Sequence, residues 1–129
     1  VEFSMPSIHP GTRIGHVHVH VNDLERAMHF YRDGLGYGGL FIIRQFAMGD
    51  VGLNYTPHAI AFNIWAGPDA SLPPAGAAGL RWFEIVVPDA DTLGDIRSRL
   101  AAIGATVAPI AGGLETADPS GNRIKVLVE

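Results

Sequence analysis

Nine residues, Gly15 to Asp23 (GHVHVHVND), restrict the fold of this chain more than any other stretch. Strict alternation is the pattern of a half-buried β-strand, in which neighbouring side chains point to opposite faces. Val17, Val19 and Val21 therefore share one face, and His16, His18 and His20 the other. The valines can pack against a helix, whereas three imidazoles in a row suit a wet cleft better than a core. A helix follows at once. Asn22 or Asp23 is placed to cap it, and Leu24, Ala27, Met28 and Tyr31 recur at helical spacing, with Phe30 widening the apolar stripe. Gly34 and Gly36 end it, because glycine takes the left-handed conformation at little steric cost.

The remaining pattern repeats this opening. Three short strands are expected over 37–45, 46–55 and 58–65, with Gly49-Asp50 and Thr56-Pro57 as turn residues. Residues 67–79 (GPDASLPPAGAAG) are dense in Pro, Gly and Ala and read as a linker loop. Beyond it come a strand over 80–87 and a capped helix over 89–104, with Leu93, Ile96, Leu100 and Ile103 on one stripe. Strands over 106–110, 114–117 and 122–128 complete the chain, the last two joined by the turn DPSGN. The organisation is an N-terminal arm (1–13), a βαβββ module (14–66), the linker (67–79) and a second βαβββ module (80–129). This is an α+β fold of two like modules curving around a shared cleft.

Composition narrows the functional classes. A chain of 129 residues makes one domain, large enough to fold without staples. It has no cysteine, which excludes thiol catalysis and thiolate metal sites and agrees with a cytoplasmic location. A formal net charge of -4 and the absence of basic runs argue against a nucleic-acid partner. No stretch approaches the roughly 20 apolar residues of a membrane span.

Three phrases, GHVHVHVNDLERAMHFYRDGLGY, GLRWFEIVVPD and DPSGNRIKV, resemble the vicinal oxygen chelate superfamily, which includes glyoxalase I, extradiol ring-cleaving dioxygenases and bleomycin-resistance proteins. The resemblance spans about residues 14 to 128 and implies the two-module fold. It also implies metal positions. The first-strand histidine falls on His16, but the histidine expected in the fifth strand falls on Trp82 and the terminal glutamate on Lys125. Glyoxalase I adds a carboxylate in the fourth strand, where this chain has Ala61, Phe62, Asn63 and Ile64. An indole cannot coordinate a divalent cation and an ammonium group repels one, so the family's usual metal site is expected to be absent.

Strand parity then gives the expected cleft lining as His16, His18, His20, Asn63, Trp65, Trp82, Glu84, Arg123 and Lys125. Aromatic faces beside a few directed polar groups are what a pocket for a flat polar molecule needs. Bland readings stand beside this one: the tryptophans can fill core, the histidines can be solvated, and Asp118 and Asn122 can serve only their turn. Glu84, with a raised pKa among indoles, is a candidate general base, unless an ion pair with Lys125 lowers it.

By analogy with bleomycin-resistance proteins, the expectation is a metal-free, cofactor-free protein that sequesters an aromatic or conjugated natural product. It would act as a homodimer with clefts shared between chains. The alternative is a ring-cleaving dioxygenase or related enzyme with an unconventional metal site drawn from His16, His18 and His58, or with Glu84. A metal-free isomerase or cyclase using Glu84 or a histidine as base is the third.

Overall fold

The computed structural model describes residues 7–129; the first six residues of the expected N-terminal arm lie outside the described residues. The elements run β1 (Val17–His20), α1 (Leu24–Met28), β2 (Gly38–Ile43), β3 (Met48–Leu53), β4 (Thr56–Asn63), β5 (Phe83–Val87), α2 (Ala90–Ala102), β6 (Val107–Ile110), β7 (Gly113–Ala117) and β8 (Arg123–Val128). Two four-stranded mixed sheets result, ordered β1-β4-β3-β2 and β5-β8-β7-β6. In each, the module's first strand lies parallel to its last and the other pairings are antiparallel. The two halves therefore share one topology. Among the described residues no helix is long and apolar enough to cross a membrane.

Both helices begin where the sequence offers a cap. Asp23 accepts a hydrogen bond from the Arg26 amide at 2.8 Å, and Asp89 one from the Thr92 amide at 2.7 Å. The first helix continues past Met28 as a wider π-helical turn, His29–Gly34, and Gly36 with φ +91° closes it. Gly34 lies inside this turn rather than ending it, and a Cβ there would stand 2.7 Å from Ile103 Cδ1, so that side chain would have to shift.

The valine face of β1 packs inward as its alternation dictates. Val19 and Val21 join Leu24, Ala27, Met28, Phe30 and Tyr31 in a core that continues through Phe62 into Leu93, Ile96, Leu100, Ile124 and Val126 of the second module. Each such fully buried side chain contributes about 1.5–3 kcal/mol from burial. The modules thus share one core, and polar ties reinforce it. Tyr31 donates to buried Asp118 at 2.8 Å, Asn122 Nδ2 donates to the His20 carbonyl at 2.7 Å, and the Asn22 amide donates to Ser120 Oγ at 2.8 Å. Asp118 and Asn122 do hold their own turn, yet they also clamp it to the end of β1.

The expected turns of the first module are displaced. Gly49 and Asp50 lie inside β3, and the β2–β3 reversal is instead a 3₁₀ turn at Arg44–Phe46 ending on Ala47, φ +49°. Glycine occupies position 49 for close packing, since a Cβ there would meet Phe62 Cε2 at 2.7 Å. Thr56 and Pro57 belong to β4, with the turn at 54–55. Pro57 is tolerated because β1 pairs with β4 only from Ile60 onward. The strand expected from residue 80 begins at Phe83, leaving Trp82 just before it.

Candidate functional site

The unpaired edges of β1 and β5 border a groove between the two modules. It consists of two adjoining cavities, of about 650 and 350 Å³, that share Leu80, Trp82 and Phe83. The larger reaches His16, Tyr37 and Glu84, and the smaller reaches His18, His20, Arg81 and Arg123. Of the expected lining, His16, His18, His20, Trp82, Glu84 and Arg123 border one cavity or the other. Asn63, Trp65 and Lys125 border neither of these two cavities.

Those three do other work. Asn63 is buried, accepts from the Trp65 amide at 3.0 Å through Oδ1 and meets His18 Nε2 through Nδ2 at 2.8 Å. The first bond orients the amide, so Nδ2 is the donor and His18 Nε2 the acceptor, leaving the His18 proton on Nδ1. Burial first, then the neighbouring His16 and His58, lowers the His18 pKa from its ordinary value and keeps the ring neutral. Trp65 is 64% exposed, donates to the Phe46 carbonyl at 2.7 Å and lies 5.3 Å from the His18 ring centroid. Lys125 places Nζ 3.8 Å from the centroid of the Trp82 ring, a close cation–π contact.

That placement settles the pairing of Glu84. Glu84 and Lys125 are paired in register on adjacent strands, yet no ion pair joins them; the ammonium group lies over the indole instead. Glu84 Oε1 is 3.5 Å from Trp82 Nε1, at the limit of a hydrogen bond. Arg123 is held by Glu115 at 2.5 Å, so its charge is already matched.

His58, expected beside a turn, sits in β4 with φ +60° and donates from Nδ1 to Asp50 Oδ2 at 2.5 Å. Its ring meets that of His16 edge-on at 4.6 Å, and His16 lies 6.5 Å from His18. Three imidazoles thus gather beside β1, and one of them, His58, is oriented by a largely buried carboxylate. Asp50 went unseen in the sequence because Gly49-Asp50 has the composition of a turn. A carboxylate at an alternate position of a strand, opposite a histidine-bearing strand, was the available signal.

The metal implied by the family resemblance does not fit this donor set. Trp82 and Lys125 stand at two of its three positions, and each offers a proton where a lone pair is needed. Nor do His16, His18 and His58 form a substitute cluster: among the described residues no group of three or more His, Asp or Glu side chains is placed to hold a metal ion. Asn63 occupies one His18 nitrogen and Asp50 one of His58.

Comparison with known proteins agrees with the geometry. Residues 13–126 match the family model described as Glyoxalase/Bleomycin resistance protein/Dioxygenase superfamily. A catechol-2,3-dioxygenase of Bacillus subtilis (strain 168) is 32% identical over 108 residues, covering 84% of this chain but only 38% of that protein. Among solved structures, a glyoxylase/bleomycin resistance protein/dioxygenase domain from Frankia sp. EAN1pec superposes with a TM-score of 0.76 at 20% identity, covering 91% of each chain. A fosfomycin resistance protein from Mesorhizobium loti superposes with a TM-score of 0.65 at 13% identity, covering 95% of this chain and 94% of that one. The shared topology and the match across nearly the whole chain lead to one conclusion: this chain belongs to the glyoxalase/bleomycin resistance protein/dioxygenase superfamily.

Proposed function

We propose that this chain is a small-molecule binding protein that takes up an aromatic or conjugated compound in the groove between β1 and β5, without a metal at the superfamily's positions. The observation that carries this reading is the Trp82–Lys125 pair. Two positions that would furnish metal ligands instead carry an indole and an ammonium group stacked at 3.8 Å. One ring face is covered by Lys125, and the rest of the indole borders both cavities as a flat apolar wall. His16 and Glu84 on one side and His18 and Arg81 on the other supply directed polar groups, the composition of a site that orients a planar ligand. Function would be stoichiometric: the ligand is held away from its target, as in resistance by sequestration.

A homodimer belongs to this proposal. Ile14, Leu80 and Val86, at the rim of the larger cavity, are 88%, 66% and 60% exposed, and a second chain over that rim would complete the site. Sedimentation of the purified protein as a monomer would remove this part.

A second reading, a ring-cleaving enzyme, is favoured by the relative named catechol-2,3-dioxygenase and by the gathered imidazoles. Elemental analysis separates the two. Protein purified without an affinity tag is incubated with Fe(II), Mn(II), Zn(II) or Ni(II) and dialysed. Less than about 0.1 metal per chain supports the binding reading, while close to one retained ion per chain supports the enzyme.

A further inference from the structure

A cavity of about 340 Å³, separate from the groove, opens at the end of β5 between that strand and α2. Leu35, Val87 and Ile96 border it and are buried, while Leu53 and Val86 border it as exposed apolar walls. It meets the larger cavity of the groove only at Tyr37, Ile85 and Val86, and Leu53, Ile96 and Arg99 belong to this cavity and not to the groove. A volume of a few hundred Å³ walled chiefly by apolar side chains is that of a small-ligand cavity, and apolar surface left wet there favours an apolar occupant.

Arg99 adds a charge to this apolar space. Its Nε donates to the Gly34 carbonyl and its Nη2 to the Leu35 carbonyl, each at 3.3 Å. Gly36 makes room for that placement, since a Cβ there would stand 2.6 Å from Arg99 Nη2. The two carbonyls hold the guanidinium without neutralising it. Among the described residues no carboxylate forms an ion pair with Arg99, not even Asp95 one turn earlier on α2. The bonds made use one side of the planar fork. The end edge, with one N–H from Nη1 and one from Nη2, is left to take both oxygens of a carboxylate. No Asp or Glu borders the cavity, so an incoming ammonium group would meet only like charge, whereas a carboxylate would match it.

We propose that this cavity is a second binding site, for a medium-chain carboxylate. The alkyl chain lies along Leu35, Leu53, Ile85 and Ile96, and the carboxylate accepts from the end edge of Arg99. This site does not depend on the aromatic-binding reading, because neither Trp82 nor any histidine borders it.

Isothermal titration of the full chain with octanoate, hexanoate, octan-1-ol and octylammonium tests it. Octanoate is expected to bind at least about tenfold tighter than the alcohol or the amine. It should also bind at least about fivefold tighter than hexanoate, which buries two fewer methylenes. Arg99→Gln should cut octanoate affinity at least about tenfold and change octan-1-ol by no more than about twofold. Arg99 also ties down Gly34 and Leu35, so Leu53→Glu is the second variant. It sets a carboxylate at a wall position that is 55% exposed, where it should repel octanoate without unfolding the chain. Undiminished octanoate binding in both variants, equal affinity for octanoate and hexanoate, or tighter binding of the alcohol overturns the site. Absence of octanoate binding overturns it too, and if Leu53→Glu then converts a dimer to monomers in sedimentation, a second copy of the chain covers the cavity instead.

Discussion

Tyr31 and Asp118 come from the two most distinctive phrases of the sequence, FYRDGLGY and DPSGN, and meet as a buried pair at 2.8 Å. Burial foremost, then the Asp118 charge, pushes the Tyr31 phenol well above its ordinary value, so it remains a donor. Tyr31→Phe leaves the carboxylate short of one partner and is expected to cost about 1.5–3 kcal/mol in urea unfolding. His18 sets a pH dependence of definite sign. Its pKa is lower folded than unfolded, so the unfolded chain takes up a proton first. Its contribution is complete above about pH 6.5 and is lost as pH falls through the folded value. Melting curves from pH 8 to 5 should show a larger loss of Tm for the native chain than for His18→Gln. At this scale the sequence was legible where alternation is strict, as in the His/Val strand. It was illegible where turn-like composition hides a strand residue, as at Asp50, which orients His58 on the next strand, and where an amide such as Asn63 serves a neighbouring ring rather than a ligand.

Helices were read from caps and apolar stripes, and both stand where Asp23 and Asp89 begin them. Asp89→Ala, which leaves the Thr92 amide without its acceptor, is expected to lower the midpoint of thermal or chemical unfolding. The strands of the first module were harder. Gly49-Asp50 and Thr56-Pro57 have turn composition, but tertiary packing decides their conformation: Gly49 yields space to Phe62, and Pro57 lies beyond the stretch of β4 that β1 covers. Gly49→Ala tests this directly. A turn glycine in a permissive position would tolerate the change, whereas a carbon placed 2.7 Å from Phe62 Cε2 should cost about 1–3 kcal/mol.

Across the whole molecule, two modules of identical strand order share a core and leave a groove where the edges of β1 and β5 fail to pair. The repeat of element order made this architecture readable from the sequence. The groove itself was not, because parity assigns faces but not the separation between two sheets. Nor did the Pro-rich linker announce itself as a wall of the site, since neither its composition nor its period marks Leu72 and Pro73 as contacts. On the proposed function, the groove binds an aromatic ligand against Trp82 and no metal takes part. Trp82→Ala should weaken such a ligand by about 1–3 kcal/mol and leave the fold intact by circular dichroism, as expected for an indole that is 37% exposed. The most direct measurement uses Trp65→Phe, which leaves Trp82 as the single tryptophan of the chain. Its fluorescence is titrated with 4-nitrocatechol after chelator treatment, with and without added Fe(II). Saturable quenching at one ligand per chain, unchanged by iron, is the predicted result; quenching that appears only with iron, or none that saturates, would contradict it.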